Sequence, residues 1–589
     1  MTLLKSKHSS IVGSQKVSVF SDSQKIVNYL LVLVWGLVFV DFAIWWFSGT
    51  IITNVIGYSF ITISVFWLPV LHIYFYFFSL QQKELPKDIG IPTGRIAMLT
   101  TKVPKESDEL LHRTLLSMKA QALPYKHDVW LMDEDPSAGL VEWCRERGIY
   151  VASRKGIASY QNETYPGRAK TKEGNIRYFL DHWGYEMYDF LIQFDADHAP
   201  EPDFAFQVMR EFNDERVGYV ASPSIVDGNI EESWTVKARN YWEATNHGPV
   251  QSGTDNGFAP MMYGSHYSHR VKALQSIGGI GPEIAEDHTT TLLYNAHGWK
   301  GGFARDAIAH GYGAVGITDS MLQEYQWAMV GIRAGLLVTT KYFKRLPLRI
   351  KAQFFIWELW YPAITLVSLI SLFVPFFALL LADPFVKVEG EGFLYRYAWL
   401  NGLFLLYGFW LRYLRHFRPH YSLHVSFETF IFQYLQFPWI VIGWVSGLWQ
   451  VIRGLPVSKQ TITDKDESIK SIPFKSFVPH YCIVIITWLI LILPLNPGDA
   501  GGYYFFVLLI MSSYVVSLFV GTYLSLLENL QKIQYNKLLF IRANLATIMG
   551  VVVISIISSY ILGFIIDERF GLNAESMLIS AIRTIMNYV

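Results

Sequence analysis

The stretch YDFLIQFDADHAP (188–200) decides how this chain is read. An apolar run, Phe190-Leu191-Ile192, leads into Asp195 and Asp197, one alanine apart. Two carboxylates that close repel each other in a dry site unless a cation lies between them. Hard divalent cations take oxygen ligands, and Mg²⁺ is commonly held by one or two carboxylates together with substrate phosphates. A short apolar strand ending in acids suits the carboxyl edge of an α/β sheet, where ligands bind. The plain alternative is a solvated Asp-rich turn.

The neighbouring sequence favours the sheet. Short apolar segments at 95–101, 128–135, 148–153 and 218–224 read as further strands. Helical stretches at 107–121 and 173–184 lie between them, as α/β patterning requires. Acidic clusters fall near strand ends or on loops that could join them: Asp133-Glu134-Asp135, Asp195 with Asp197, and Glu286-Asp287. His198, His266, His269 and His288 suggest a metal. His266 and His269 read as part of a loop without an obvious third ligand, so hydrogen-bonding roles are favoured.

Farther out the composition changes. Of 589 residues, 51% are hydrophobic and 16% aromatic, too apolar for an ordinary soluble enzyme. The formal net charge is zero, which gives no argument for nucleic acid. Cys144 and Cys482 sit in unlike contexts, so neither a disulfide nor a cysteine metal site is expected. A polar basic stretch precedes an apolar run too long for a signal h-region, so no cleavable signal is expected.

Apolar runs near 28–47, 55–80, 354–382, 394–413, 424–450, 477–495, 503–527 and 545–566 approach or exceed the ~20 residues that cross a bilayer. Basic residues flank 424–450 on both sides. It therefore reads as interfacial or re-entrant, broken by Pro438 and Gly443, which leaves seven true spans against a rival eight. The N-terminus and central domain fall inside and the C-terminus outside. The expected layout is a cytosolic segment at 1–27, two spans within 28–80, and a cytosolic domain at 85–345. Spans plus the interfacial helix follow at 353–453, a loop at 454–475, three spans within 476–566 and an external tail at 567–589. Asp41, Glu358 and Arg396 lie in or near spans, where a charge either lines a polar path or packs between helices.

On this framework FDADHAP resembles the DxD motif of processive family 2 glycosyltransferases, in particular cellulose synthases. Further blocks follow in that family's order: VWLMDED, RAKTKEGNIRYFL, IGGIGPEIAEDHTTTLLYNAHGW, QEYQW (323–327) and GLPVSKQT (454–461). YGSHYSHR (263–270) lies where the family's acceptor-site segment falls. The resemblance implies a multi-pass α-helical membrane protein with an inserted cytosolic α/β glycosyltransferase domain, GT-A-like, with a mixed, mostly parallel sheet. It implies Asp287 as general base and Asp195 and Asp197 as ligands of Mg²⁺ or Mn²⁺. Thr101, Glu106, Asp133, Lys172 and Asp195 would contact the nucleotide. Glu286, Gln323 and Trp327 would face the acceptor, and Val457, Ser458 and Lys459 would form a gating loop.

The implied reaction polymerises a β-glucan from a UDP-sugar, UDP-glucose above all, onto a growing polysaccharide that crosses the plasma (inner) membrane. Accessory or regulatory subunits would supply any activation, since no cyclic-nucleotide module is recognisable after residue 460. Two departures stand out. Gln326 replaces the arginine of QxxRW, removing a fixed guanidinium from a diphosphate site, and Leu455 replaces the gating aromatic. The alternatives are a single-sugar transferase to a lipid acceptor and, on Gln326 alone, a degenerate transferase acting as transporter or scaffold. Linkage, whether (1,4), (1,3) or mixed, stays open.

Overall fold

The computed structural model describes residues 16–102, 107–457, 471–534 and 536–570. Glu106, Ser458, Lys459 and the tail from 571 lie outside the described residues.

Seven strands of the central domain form one sheet: β1 (Ile96–Lys102), β2 (His127–Asp133), β3 (Tyr150–Ala152), β4 (Phe190–Asp195), β5 (Val217–Ala221), β6 (His266–Arg270) and β7 (Lys300–Phe303). Their order is β7-β5-β6-β4-β1-β2-β3. β1 runs parallel to β2 and β4, β2 to β3, and β5 to β7, while β6 is antiparallel to both neighbours. The expected mixed, mostly parallel sheet is therefore present. Period-two alternation sends Met98, Leu131 and Ile192 into the core on one face, and Leu99, Trp130 and Leu191 into the core on the other. Both faces are covered, which is why these strands read as continuous apolar runs.

Two strands escape that reading. β6 reads as a loop in sequence, yet it lies inside the sheet with His266 and His269 buried. Its two histidines find partners outside the strand: His269 Nδ1 meets Tyr294 OH at 2.9 Å and His266 Nε2 meets the Pro223 carbonyl at 3.0 Å. β7 carries Gly301 and Gly302, poor strand formers by propensity. A Cβ at Gly301 would collide with the Tyr219 ring, so the neighbouring strand demands the glycine.

Four helices carry the site: α1 (Lys172–Phe179), α2 (Trp234–Thr245), α3 (Glu286–Ala296) and α4 (Gly316–Ala334). The chain then enters α5 (Leu348–Leu381) and later α6 (Phe427–Arg453). Among the described residues seven helices are long and apolar enough to cross a membrane: 22–48, 55–79, 348–381, 427–453, 474–492, 498–532 and 545–566. The number matches the sequence count but the membership does not. Helix Gly390–Tyr413, which holds Glu391, Arg396 and Arg412, is not among them, and α6 is, with a mean hydropathy of 1.3, the lowest of the seven.

Pro438 and Gly443 do not break α6, which is one continuous helix of 27 residues. Gly443 and Gly447 serve another purpose. A Cβ on either would strike the backbone of Tyr325 or Met329 in α4, so the two glycines let α4 and α6 cross at backbone contact. At the other end of the chain, Val17–Ser18 pairs with Lys83–Glu84, and the Lys16 ammonium sits between Glu211 at 2.6 Å and Asp255.

Candidate active site

β1 lies between β2 and β4, with Thr101 opposite Met132 on one side and Asp195 on the other. This register places Thr101, Asp133 and the Asp195–Asp197 turn at one carboxyl edge. Helix α1 starts beside them: Thr171 caps it, its hydroxyl accepting the Gly174 N–H at 3.2 Å, and Lys172 is its first residue. The Lys172 ammonium pairs with Asp195, donates to the Gly264 carbonyl and lies 3.7 Å from Glu286 Oε1. Burial disfavours this ammonium, yet the charges of Asp195 and Glu286 outweigh it and hold its pKa above the ordinary lysine value.

Asp287 stands in the first turn of α3. Thr289, Thr290 and Thr291, β-branched and weak helix formers, tie this turn down through their hydroxyls. Thr289 Oγ1 donates to the Pro282 carbonyl at 2.6 Å and Thr291 Oγ1 to the Asp287 carbonyl at 2.8 Å, while Thr290 bonds the Glu286 carbonyl. Asp287 Oδ1 accepts the His288 N–H at 2.8 Å. Its Oδ2 faces Gly264, where a Cβ would come to 3.4 Å. Lys172 and Asp287 thus meet the same glycine. Burial pushes the Asp287 carboxyl up, against the lowering influence of its hydrogen bond and of nearby His288 and Lys172.

Asp195, Asp197 and His198 bring three ligand atoms within 4.8 Å of one another, a spacing that fits one divalent cation. His198 Nδ1 lies 2.8 Å from Asp197 Oδ1, and its Nε2 is buried without a hydrogen-bond partner. Gly311 is the space that admits this ring. In the sequence His198 is one of four histidines that suggest a metal; the structure adds it to the acidic group.

One cavity of about 2840 Å³ joins these groups to the membrane helices. Thr101, Lys172, Asp195, Glu286, Asp287, Gln323, Trp327 and Val457 line it, and so do Trp360, Tyr361, Phe373 and Tyr514 far along the chain. Gln326 lines it at the place of the family's arginine. Trp327 is 38% exposed, with the Arg239 guanidinium of α2 stacked 4.6 Å from its ring centroid. Arg239 also binds Glu324 at 2.8 Å and Glu243 at 3.2 Å. One face of the tryptophan is therefore closed by a neutralised cation.

The structure keeps one expected group, Asp133, back from that cavity. Asp133 is 1% exposed and lies 3.9 Å from Lys102; burial raises its pKa. Glu134 lines the cavity while pairing with Arg154, a fully buried guanidinium whose role the sequence did not disclose. Arg154 Nε donates to Asn175 Oδ1 at 2.8 Å, and Nη1 donates to the carbonyls of Tyr160 at 2.7 Å and Arg168 at 2.8 Å. Only its neighbours reveal it: a lone arginine in VASRKG (151–156) carries no signal that its partners include Glu134, Tyr160, Arg168 and Asn175.

Residues 190–518, more than half of the chain, match the glycosyl transferase family group 2, and the chain belongs to that family. Among curated relatives it is similar to the UDP-forming cellulose synthase catalytic subunit of Komagataeibacter sucrofermentans, 24% identical over 210 residues, 35% of this chain and 26% of the relative. It is also similar to a UDP-forming cellulose synthase catalytic subunit of Dictyostelium discoideum, 25% identical over 191 residues, 32% of this chain and 18% of the relative. The matches thus span about a quarter or less of those relatives. A solved mannosyltransferase from Pyrobaculum calidifontis, in complex with GDP-Man and Mn²⁺, aligns at 13% identity over 66% of this chain and 98% of its own, with a TM-score of 0.40.

Proposed function

We propose that this chain is an inverting, processive membrane glycosyltransferase that builds a β-glucan from UDP-glucose and passes it across the plasma membrane. The observation that carries the reading is the single cavity running from Lys172, Asp195 and Asp287 to aromatic side chains between the membrane helices. A lipid-linked single-sugar transfer needs no such path. The similarity to UDP-forming cellulose synthases supports the donor class.

In this reading Asp195 and Asp197, with His198 beside them, would hold a divalent cation, which would supply positive charge to the diphosphate leaving group. Lys172, already paired to Asp195, turns its ammonium to the diphosphate when donor arrives. Asp287 takes the proton from the acceptor hydroxyl; its buried setting raises its pKa and strengthens it as a base. Trp327, closed on one side by Arg239, offers its other face to the acceptor sugar. Thr101 flanks the nucleotide side, Glu286 and Gln323 flank the acceptor, and Val457 lines the same cavity. Helix α6 packs on α4, which carries Gln323 and Trp327, through Gly443 and Gly447.

Purified protein given UDP-glucose and Mg²⁺ or Mn²⁺ should release UDP and yield a glucanase-sensitive polymer. D287N should lower that release by about 10²–10⁴-fold while UDP still binds. UDP release with a product of one added sugar would favour the lipid-acceptor reading, and full turnover in D287N would remove Asp287 as base.

A further inference from the structure

Glu358 is a carboxylate in the apolar run FFIWELWYP (354–362) of the membrane helix α5. It lies ten residues into that helix, about 15 Å from its start at 1.5 Å per residue. A charge there is expensive unless partnered, and Glu358 is heavily partnered. Its Oε1 lies 2.7 Å from His288 Nε2 and accepts Thr339 Oγ1–H at 2.6 Å. Its Oε2 occupies the space left by Gly335, where a Cβ would come to 2.5 Å. Gly335 and Thr339 bound a wide turn, residues 335–339, that interrupts the α-helical spacing after α4. Such turns often occur at functional sites; this one seats a carboxylate.

The partner of that carboxylate is the residue next to Asp287. His288 gives its backbone N–H to Asp287 Oδ1 at 2.8 Å and sends its ring the other way, to Glu358. The rings of Phe354 and Trp357, both on α5, flank the imidazole at 5.5 and 6.4 Å between centroids. One residue therefore holds the candidate base with its backbone and the membrane helix with its side chain.

We propose that His288 and Glu358 form a positioning pair for Asp287, through which the first membrane helix after the catalytic domain sets the orientation and charge surroundings of the base. The inference rests on the reading of Asp287 as the base. The charged groups around this pair are Glu286 and Asp287 on α3, the helix that carries His288, and Lys172 from α1, while α5 supplies Glu358 itself. Burial disfavours the imidazolium, but Glu358 and then Asp287 outweigh it and raise the His288 pKa. A protonated His288 in turn favours the ionised form of Asp287, the form that accepts a proton. Loss of either partner should raise the Asp287 pKa, so the acid limb of activity should move to higher pH.

The test is the pH profile of kcat/KM for UDP release from UDP-glucose, measured in nanodiscs for H288Q, E358Q, H288K and the double variant H288Q/E358Q. UDP affinity, measured separately, reports that each variant is folded. The expected result is an acid limb displaced upward by about one pH unit in H288Q and in E358Q. The double variant should show no further displacement, and H288K, which keeps the cation, should restore the limb toward its original place. A uniform fall in rate with an unmoved limb, in variants that bind UDP normally, overturns the pair as anything beyond packing. D287N separates the two levels: if it is inactive while the limb stays unmoved in H288Q and E358Q, only the pair fails. If D287N turns over normally, the base assignment fails and the pair falls with it.

Discussion

Replacing Arg154 by alanine should unfold the central domain at markedly lower temperature, although Arg154 touches neither substrate nor cavity in the proposed reaction. The guanidinium is fully buried and donates to Asn175 Oδ1, to the carbonyls of Tyr160, Arg168 and Thr171, and to the Glu134 carboxylate. R154A strands Glu134, whose side chain is 15% exposed and also accepts the Lys170 N–H at 3.1 Å. Breaking a buried ion pair by removing one member costs about 3–5 kcal/mol, because the remaining charge stays buried. For a domain of this size each kcal/mol moves the melting temperature by about 2–4 °C, so the expected drop is roughly 6–20 °C. R154K keeps the charge but not the planar fork and should fall between R154A and wild type. Because Arg154 also holds the Thr171 carbonyl at the start of α1, UDP affinity should weaken alongside stability. Tryptophan-fluorescence melting in detergent, with and without UDP, reads both quantities. An R154A protein melting within about 2 °C of wild type would refute the argument.

Three further outcomes follow from particular contacts. K172M removes the ammonium shared by Asp195 and Glu286 and should weaken UDP binding by roughly 10–150-fold, the equivalent of a charge-assisted hydrogen bond of about 1.5–3 kcal/mol; titration calorimetry with UDP and metal checks it. G443A should destabilise the protein by about 1–3 kcal/mol and slow turnover, because the added Cβ pushes α6 off the helix that carries Gln323 and Trp327; a wild-type melting curve and rate would contradict the close crossing. His310 has its pKa raised to about 8, first by its hydrogen bond to Asp227 at 2.8 Å, against burial, with the charges of Asp227 and Glu201 adding. A raised folded value means this stabilisation is complete below the ordinary histidine pKa and is lost as pH rises through about 8. D227N should accordingly lower the melting temperature at about pH 6 and have little effect near pH 9.5; equal losses at both values would refute the pairing.

Much of the architecture was legible because it rests on burial that leaves a local trace. Strands covered on both faces must be apolar throughout, and β1, β2, β4 and β5 announced themselves for that reason. Membrane runs did the same by length. β6 and β7 left no such trace: one draws partners for its histidines from groups distant in sequence, Pro223 and Tyr294, and the other uses glycine to clear Tyr219. Gly443 was legible as a glycine but not for its use, since a helix breaker and a close-packing residue look alike until the partner helix is known.

The sequence by itself determined the chemistry on offer: an acidic strand end, a lysine at a helix start, an acidic pair before a helix, and an α/β unit set among membrane helices. Those are properties of short windows, written in residue type and period. Only the tertiary structure decided which groups share one space. It put Lys172 against Asp195 and Glu286, drew His198 into the acidic cluster, held Asp133 back beside Lys102 and turned Glu134 to Arg154. The physical reason is that a charge is settled by whatever lies within a few ångströms of it. In this chain those neighbours come from strands and helices as many as ninety or more residues apart.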